Sequence, residues 1–398
     1  MKNQLCLFKC LLVFSLLIFA YMNQIGDISS TAKSLELQNK SQQTVYSPHL
    51  IGEIQIGVTH EVFVESDYAY VTTNDALVII DISNPSSPER ISEINMEGFS
   101  PVAVVRDELA YIINMASHEF LIANVSSPEN PDIIGRYFPD LDWENFDDLM
   151  IKLALVDNYL YVLSNVLDLM VFNVQDPTNP ILIGEYNTGD GNAGLAITGD
   201  VLFYTNNDIG IKVLNIGNRS APYQIASLNM DRGVFDLDIH EDILYVSNYF
   251  FGVIILNVSD PFNPRVISSL GETDVIDPPR SRAVSGDNNF LAIAKMERGV
   301  SFVDVSDPTK PHELALYNES RPTNCLYDGK YVYITDHDTS RSFQIVEFVA
   351  DEPIEDTSST MGTNTTSTTS ATTPGLEILV VGLGLLVLIR LGSRRKFE

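Results

Sequence analysis

The sequence has little cysteine. Its three cysteines are Cys6, Cys10 and Cys325, and the first two lie in an apolar N-terminal segment. The single thiol in the rest of the chain cannot form a disulfide framework or a cysteine-based metal site. We expect Cys325, in the segment TNCLYDG, to be a packed small hydrophobic residue rather than a nucleophile.

Positive charge is scarce as well. The chain carries 24 Lys and Arg against 53 Asp and Glu, a formal net charge of −29 at pH 7. A body this acidic repels nucleic acid and anionic membrane surfaces. The charge therefore predicts no nucleic-acid partner and is typical of a solvated acidic surface, with calcium binding or salt adaptation as the weaker interpretations.

Catalytic sequence motifs are also missing. The chain contains no HExxH, G-x-S-x-G, Walker A, GxGxxG or CxxC pattern. Its six histidines, at positions 49, 60, 118, 240, 312 and 337, show no metal-ligand spacing. We therefore predict no catalytic residue and no cofactor, although loops distant in sequence can still build a catalytic site.

The N-terminal end predicts export. Lys2 and Lys9 precede an apolar stretch from Cys10 to Met22, which is the layout of a secretory signal. No A-x-A cleavage site follows, so an uncleaved anchor is the alternative. We predict a signal peptide or N-terminal anchor over 1–24 and a linker over 25–45.

The C-terminal end predicts attachment to a membrane. The Ser/Thr-rich segment 351–374 cannot bury apolar area and is typical of an extended stalk. An apolar run from Ile378 to Ile389 follows, and then a basic cluster that includes Arg394 and Arg395. Residues 375–398 therefore predict a transmembrane or sorting anchor, with a membrane as one partner.

The same tail resembles a known sorting signal. Its start, Pro374-Gly375-Leu376, is similar to the PGF-type C-terminal signals of archaeal surface proteins, with Leu376 in place of the family's Phe. The resemblance implies that a transpeptidase removes the helix and attaches lipid. Six sequons for N-glycosylation agree with a location on the cell surface, and they are Asn39, Asn124, Asn218, Asn257, Asn318 and Asn364.

A repeat runs through the middle of the chain. The stretch LVIIDISNPSSP, residues 77–88, recurs as FLIANVSSPENP, LMVFNVQDPTNP, IKVLNIGNRSAP, VIILNVSDPFNP, VSFVDVSDPTKP and a divergent FQIVEFVADEP. The copies start about 42 to 49 residues apart, a period typical of propeller blades. Each keeps three companion strands in phase, such as EVFVE and DYAYV before it and PERISEI after it. Four strands therefore recur seven times.

This pattern predicts an all-β fold. Short runs of β-branched residues and tyrosine, bounded by Asn-Pro and Asp-Gly, are typical of antiparallel strands. One small sheet cannot bury both faces, whereas radial packing lets each sheet cover its neighbour. We predict a seven-bladed β-propeller over 46–350 with four-stranded blades. The segment PHLIGEI (48–54) precedes any inner strand, so we expect this N-terminal strand to complete the last blade as a Velcro closure.

The repeats resemble the LVIVD-repeat family, whose name residues 77–81 nearly spell. The resemblance covers residues 46–350 and implies a β-propeller of extracellular or uncertain function. Each copy ends in Asp or Asn, which most often caps the following turn by accepting backbone N–H groups. We predict this structural role for Asp81, Asn124, Asn173, Asn215, Asn257 and Asp304.

The predicted strand order sorts the loops into two rims. One rim holds tight, acidic inner-strand hairpins, and the other holds the irregular segments, including the insertions 138–150 and 271–284. Long loops on a rigid ring are where binding usually occurs. We therefore predict a ligand-binding rim formed by Phe99, Trp143, Arg232, Tyr249, Arg280, Arg282, Arg298, Arg321 and His337.

Two other interpretations of this rim remain open. The arginines could pair with the abundant carboxylates, and Trp143 could pack within its own loop. Carboxylates near Trp143 are ligands that suit calcium, although the EF-hand pattern is missing, and the weak candidates are Asp140, Asp142, Asp147 and Asp148.

Three functions fit these features. The first is a non-enzymatic, surface-anchored binding or scaffold module, similar to an adhesin, for an extracellular or cell-surface protein or glycan partner. The alternative is an extracellular propeller hydrolase or lyase that acts on a polysaccharide or another polymer, for which we expect a histidine and two acids within about 6 Å in the channel. The third is a structural envelope component, for which we expect self-association.

Overall fold

The computed structural model describes residues 46–96, 102–114, 117, 119–138, 150–164, 169–189, 192–206, 210–230, 233–271, 281–318 and 321–350. The chain divides after Pro353 into two units, of which the second, Ile354–Glu398, lies outside the described residues. The predicted signal segment, linker, stalk and anchor lie outside them too. Within the described ranges, no helix is long and apolar enough to cross a membrane.

The described residues form seven antiparallel sheets of four strands, which are the blades. Blades 1 to 6 each use four consecutive strands, and one 3-10 turn, Met296–Arg298, lies in blade 6. The strands are, for blade 1, β2 (Thr59–Glu65), β3 (Tyr68–Thr73), β4 (Ala76–Asp81) and β5 (Glu89–Asn95); for blade 2, β6 (Val102–Arg106), β7 (Leu109–Asn114), β8 (Glu119–Asn124) and β9 (Asp132–Tyr137); for blade 3, β10 (Met150–Val156), β11 (Tyr159–Ser164), β12 (Leu169–Asn173) and β13 (Ile181–Tyr186); for blade 4, β14 (Asn192–Thr198), β15 (Val201–Asn206), β16 (Gly210–Asn215) and β17 (Tyr223–Asn229); for blade 5, β18 (Val234–His240), β19 (Ile243–Asn248), β20 (Gly252–Asn257) and β21 (Arg265–Leu270); for blade 6, β22 (Ala283–Gly286), β23 (Phe290–Ala294), β24 (Val300–Asp304) and β25 (His312–Tyr317); and for blade 7, β26 (Pro322–Tyr327), β27 (Tyr331–Asp336), β28 (Phe343–Ala350) and β1 (Tyr46–Ile54).

The first strand closes the ring. β1 pairs antiparallel with β28, from Tyr46 opposite Ala350 to Ile54 opposite Phe343, and so becomes the outer strand of blade 7. The inner strand of blade 7, β26, in turn packs against β2 of blade 1. The prediction of an all-β, seven-bladed propeller with four-stranded antiparallel blades is confirmed, and the N-terminal strand completes the last blade as expected.

The hydrophobic core lies between the blades. β-Branched and aromatic side chains of the second and third strands are buried on both faces of each sheet. Phe120 of blade 2 and Phe172 of blade 3, for example, meet edge to face with ring centroids 4.8 Å apart. Each sheet therefore buries its neighbour's face, which no blade could do alone.

A ring of small residues joins the outer strands to the next blade. A Cβ atom added to Gly135 would lie 2.0 Å from the carbonyl oxygen of Pro177 in the next blade's turn. At the same register, the Ser92 hydroxyl donates a hydrogen bond to the carbonyl of Pro128. The residues at this position are Gly52, Ser92, Gly135, Gly184, Ala226, Ser268 and Ala315. All seven are small, and at the three glycines the neighbouring turn leaves no room for a larger side chain.

Alternate strands run in opposite directions between the two ends of the ring. One end, which we call the turn rim, carries the inner-strand hairpins and the proline-containing turns, such as 66–67 and 82–88. The other end, which we call the loop rim, carries the connections into the inner strands and the hairpins between second and third strands, such as 55–58 and 74–75.

Candidate functional site

The turn rim is built from side chains that bond to neighbouring backbone. Each of the six residues predicted as turn caps accepts a hydrogen bond from the backbone N–H two residues later, at 2.8–3.2 Å. Hydrogen bonds from Ser83 hold the pKa of Asp81 below its usual value. These residues are Asp81, Asn124, Asn173, Asn215, Asn257 and Asp304. These hydrogen bonds stabilise the turns, and they engage the side-chain oxygens of the six residues.

Three of the predicted glycosylation sites coincide with this turn structure. Asn124, Asn218 and Asn257 each accept the N–H of the serine that completes the sequon. Asn318 is exposed at the loop rim, and Asn39 and Asn364 lie outside the described residues. The Asn-x-Ser pattern at 124, 218 and 257 thus has a structural explanation of its own.

A cluster of three charged side chains crosses the axis of the ring. The Lys152 Nζ atom lies 2.7 Å from Glu61 Oε1 and 3.3 Å from Asp236 Oδ1. These residues sit at the same register of the inner strands β10, β2 and β18, which belong to blades 3, 1 and 5. Blades 2 and 4 carry the short residues Val102 and Gly194 there. We call Glu61, Lys152 and Asp236 the axial ion cluster.

Burial shapes the electrostatics of this cluster. The three side chains keep only 13–21% of their surface exposed. Burial raises the pKa of Glu61, against the opposing effect of the nearby Lys152 ammonium. Burial alone would lower the pKa of Lys152, but the Asp236 and Glu61 carboxylates outweigh it and raise that pKa. Lys152 therefore stays charged and bridges alternate blades.

A cavity of about 230 Å³ adjoins the axial ion cluster. Two carboxylates in its wall accept backbone N–H groups of blade 6: Asp236 Oδ2 that of Val284 at 3.4 Å, and Asp238 Oδ2 that of Gly286 at 2.9 Å. The described residues contain no group of three or more His, Cys, Asp or Glu placed to hold a metal. The two carboxylates thus tie the inner strands of blades 5 and 6 together.

Cys325 also lines this cavity. It is buried, its Sγ atom lies 3.6 Å from the Ala292 carbonyl oxygen, and burial raises the pKa of its thiol. A thiol in this state is a poor nucleophile.

Four side chains that carry or can gain positive charge gather at the loop rim, on blades 6, 7 and 1. We call His60, Arg282, Arg321 and His337 the cationic mouth. The rings of His60 and His337 meet edge to face with centroids 6.2 Å apart. Burial and then the charge of Arg282 lower the pKa of His337. Burial also lowers the pKa of His60, with smaller contributions from His337 and Arg282. The four groups thus influence one another's charge.

Buried polar residues hold the backbone of this mouth. Asp336 is 1% exposed, and its two carboxylate oxygens accept the N–H groups of Arg321 at 2.6 Å and Asp338 at 2.7 Å. The Thr59 hydroxyl donates to the Ser342 carbonyl at 2.6 Å and accepts the Asp336 N–H at 2.8 Å. These bonds connect blade 7 to Thr59, the residue that precedes His60. Both oxygens of the Asp336 carboxylate are therefore engaged by the backbone.

Arg282 differs from the other cations of the mouth. Its side chain is exposed to solvent, yet surrounding protein lowers the pKa of its guanidinium, as expected for a group in a recess. That guanidinium forms no hydrogen bond or ion pair with any residue that the structure describes, whereas Arg321 lies 3.8 Å from Glu297. Arg282 therefore offers its donors to a ligand.

Three aromatic rings pack together at the loop rim of blade 5, the blade that adjoins blade 6 and its Arg282. Phe235 and Tyr249 have ring centroids 6.1 Å apart, and those of Tyr249 and Phe250 are 5.1 Å apart. Phe235 and Phe250 are 38% and 42% exposed. Gly233, at φ 94°, makes room for them, because a Cβ atom there would lie 3.0 Å from the Phe250 ring. We call Phe235, Tyr249 and Phe250 the aromatic platform.

Asn248 fixes this platform from behind. Its side-chain oxygen accepts the N–H groups of Phe250 at 2.9 Å and Phe251 at 3.0 Å. The Tyr249 N–H donates to the Gly233 carbonyl at 2.7 Å. The rings therefore stand on an ordered turn.

The structure locates five of the nine predicted rim residues. Tyr249, Arg282, Arg298, Arg321 and His337 all lie at the loop rim. Arg282, Arg321 and His337 come together in the cationic mouth, Tyr249 joins the aromatic platform, and Arg298 lies in the 3-10 turn of blade 6. The other four, Phe99, Trp143, Arg232 and Arg280, and the calcium candidates Asp140, Asp142, Asp147 and Asp148, lie outside the described residues.

Sequence reasoning missed several members of the site. They are His60 of the cationic mouth, Phe235 and Phe250 of the aromatic platform, and the axial ion cluster of Glu61, Lys152 and Asp236. An alignment of the inner strands HEVFVE, MIKLALV and VFDLDIH would have shown charged residues in one column of otherwise apolar strands. That column faces the axis, so the signal was present in the repeat itself.

Known proteins carry the same repeat. Three segments match the family model described as the LVIVD repeat: 56–95, 151–188 and 280–319. The chain contains LVIVD repeats. The matched segments correspond to blades 1, 3 and 6. No curated protein matches the chain.

Solved structures share the fold. The β-propeller domain of Cps50 (Swd1) from Myceliophteria thermophila is 9% identical, with a TM-score of 0.61 over 76% of this chain and 99% of that chain. The computationally designed Ika8 protein is 9% identical, with a TM-score of 0.53 over 75% and 98%. A protein of unknown function from Desulfotomaculum acetoxidans DSM 771 is 16% identical, with a TM-score of 0.53 over 66% and 87%. At these identities the likeness shows the fold alone.

Proposed function

We propose that this LVIVD-repeat propeller is a surface-anchored, non-enzymatic binding or scaffold module that receives a protein or glycan partner at its loop rim. The observation that carries the proposal is Arg282, an accessible guanidinium in a recess with no hydrogen-bond or ion-pair partner among the described residues. The Glu61 and Asp236 carboxylates act on this guanidinium through charge without bonding to it, so its N–H donors stay available to a ligand.

The surroundings of Arg282 support this function. The cationic mouth is local, in a chain whose net charge is −29. Its backbone is held by Asp336 and Thr59, and the aromatic platform by Asn248. A preorganised site loses little entropy when a ligand binds, so a few contacts give useful affinity.

A location on the cell surface belongs to the same proposal. It is supported by the signal-like segment 1–24, the Ser/Thr-rich segment 351–374 and the apolar tail 375–398. Protease added to intact cells is expected to cleave the propeller from the surface. Protection of the propeller until the cells are lysed would overturn this placement.

The hydrolase alternative has less support from the described residues. His240 lies 3.2 Å from Asp238 and interacts electrostatically with Asp287. Both acids, however, accept backbone N–H groups: Asp238 that of Gly286 and Asp287 that of Phe290. Carboxylates engaged in this way hold strands together, so we assign them a structural role.

The binding function is tested by retention on native cell envelopes. The wild-type full-length chain, the double variant R282Q/R321Q and the control K310Q are compared, because Lys310 on the turn rim is 83% exposed. We expect the double variant to be retained about tenfold less, as charge-assisted hydrogen bonds are worth about 1.5–3 kcal/mol. Retention equal to that of the wild type would overturn the proposal.

A further inference from the structure

Arg282 and the aromatic platform lie on adjacent blades that are joined by a hydrogen bond, and we call these four residues the wall of the mouth. Arg282 directly precedes the inner strand β22, at the register that Phe235 occupies in the adjacent inner strand β18. The Ser247 hydroxyl accepts the N–H of Asp236 at 2.9 Å and donates to the carbonyl of Arg282 at 3.2 Å. Asp236 follows Phe235, and Ser247 lies two residues before Tyr249. One hydroxyl therefore links the backbone of Arg282 to the two strands that carry the platform.

This wall offers two different kinds of contact. The exposed faces of Phe235 and Phe250 provide flat apolar area, against which the C–H face of a sugar ring can stack. The Arg282 guanidinium provides planar donors that match a carboxylate in a bidentate geometry. A sugar that carries a carboxylate would use both contacts at once.

A peptide would find less to bind. Peptides gain much of their affinity by adding a strand to a free sheet edge. Along the inner edges, backbone N–H groups are already bonded: Val284 to Asp236 next to the loop rim, and, towards the turn rim, Gly286 to Asp238 and Tyr327 to the Ser285 hydroxyl. The described part of the mouth thus favours recognition through side chains, which suits a glycan.

We infer that the ligand of the loop rim is an acidic glycan of the uronate type, with its carboxylate on Arg282 and a ring face on the aromatic platform. This inference rests on the proposed binding function and makes its ligand class specific. Arg321 adds positive charge to the mouth, and His60 and His337 can gain it on acidification. Because the carboxylate is held by the exposed positive charge of the mouth, binding will weaken as salt screens that attraction.

The test is titration calorimetry with the full-length chain, in detergent micelles because of its apolar ends. Three probes separate ring from charge: hexagalacturonate, its methyl ester, and hexaglutamate. We expect hexagalacturonate to bind at least about tenfold more tightly than either of the others, since only it provides both contacts.

Two pairs of variants locate the site. R282Q and F250A are each expected to weaken hexagalacturonate binding at least about fivefold. Their controls, K310Q and F262A, remove the same residue types from the turn rim, where Phe262 is 66% exposed, and are expected to bind like the wild type. Thermal unfolding checks that all four fold.

The outcomes separate this inference from the proposed function. Hexaglutamate binding as tight as hexagalacturonate binding, or no effect of F250A, overturns the glycan assignment. Failure to bind hexagalacturonate overturns it too, while the binding function stands if envelope retention still depends on Arg282 and Arg321. If neither hexagalacturonate binding nor retention depends on the mouth, both proposals fall.

Discussion

The two ends of the ring differ in how their polar side chains are hydrogen-bonded. On the turn rim, the same Asp or Asn position accepts the same backbone N–H in six blades, so each oxygen has its partner nearby. On the loop rim, Arg282 has no hydrogen-bond or ion-pair partner among the described residues, and Phe235 and Phe250 stay partly exposed. The repeated residues thus stabilise the scaffold, while departures from the repeat mark the surface available for binding.

The axial ion cluster gives the largest expected effect on stability. Replacing Lys152 by methionine leaves the Glu61 and Asp236 carboxylates without their shared cation. We expect a loss of about 3–5 kcal/mol in the free energy of unfolding, measured by urea denaturation. The triple variant E61Q/K152M/D236N removes all three charges and should recover most of that loss.

The same variant has a pH signature. Without Lys152 the pKa of Glu61 rises further above the ordinary value of a glutamate, so the folded state binds a proton more tightly than the unfolded state. The stability deficit of K152M relative to the wild type should therefore shrink as the pH falls from about 8 to about 5. A deficit that is constant or grows on acidification would contradict this assignment.

The joint between blades comes next in size. An alanine at Gly135 would place its Cβ 2.0 Å from the Pro177 carbonyl oxygen on the turn rim. We expect G135A to lose about 1–3 kcal/mol in unfolding free energy through overpacking. S92A, at the same register of blade 1, keeps its Cβ and loses only the hydrogen bond to Pro128, about 1 kcal/mol. A fully stable G135A would show that the outer strands do not need small residues there.

A third set of variants, N257A, N257D and R282Q, compares the two rims directly. Asn257 accepts the N–H and the hydroxyl of Ser259, so N257A should lose about 0.5–1.5 kcal/mol in unfolding free energy. N257D keeps the acceptor and should stay close to the wild type. R282Q should change stability by no more than about 0.5 kcal/mol, because it removes no bond to a described residue. A larger loss for R282Q than for N257A would reverse the comparison.

The smallest effect is a pH dependence of binding at the mouth. Burial keeps the pKa values of His60 and His337 below 6.5, so both are neutral at pH 7 and gain charge on acidification. Their positive charge should raise hexagalacturonate affinity about two- to fivefold between pH 7 and pH 5, where a carboxylate of pKa about 3.5 stays ionised. The double variant H60Q/H337Q should flatten this profile. An affinity that falls on acidification would contradict the role of the histidines.

Parts of the site were predictable because they depend on single loops. The sequence placed Arg282, Arg321 and His337 on one rim, since their order within the repeat fixes the end of the strand at which they lie. It did not predict His60, which lies in an apolar inner strand far from His337 in sequence. Their rings meet only because β2 packs against β26 when the ring closes.

The amino-acid sequence by itself determined the seven blades, their four strands and the capped turns, because alternation of apolar residues and turn formation act over a few neighbouring residues. The tertiary structure decided which charges meet. Lys152 contacts Glu61, 91 residues earlier, and Asp236, which belongs to a third blade. A charged residue in a strand carries no local sign of facing an axis, and only the closed ring brings those strand faces together in a space where burial makes the pairing of charges necessary.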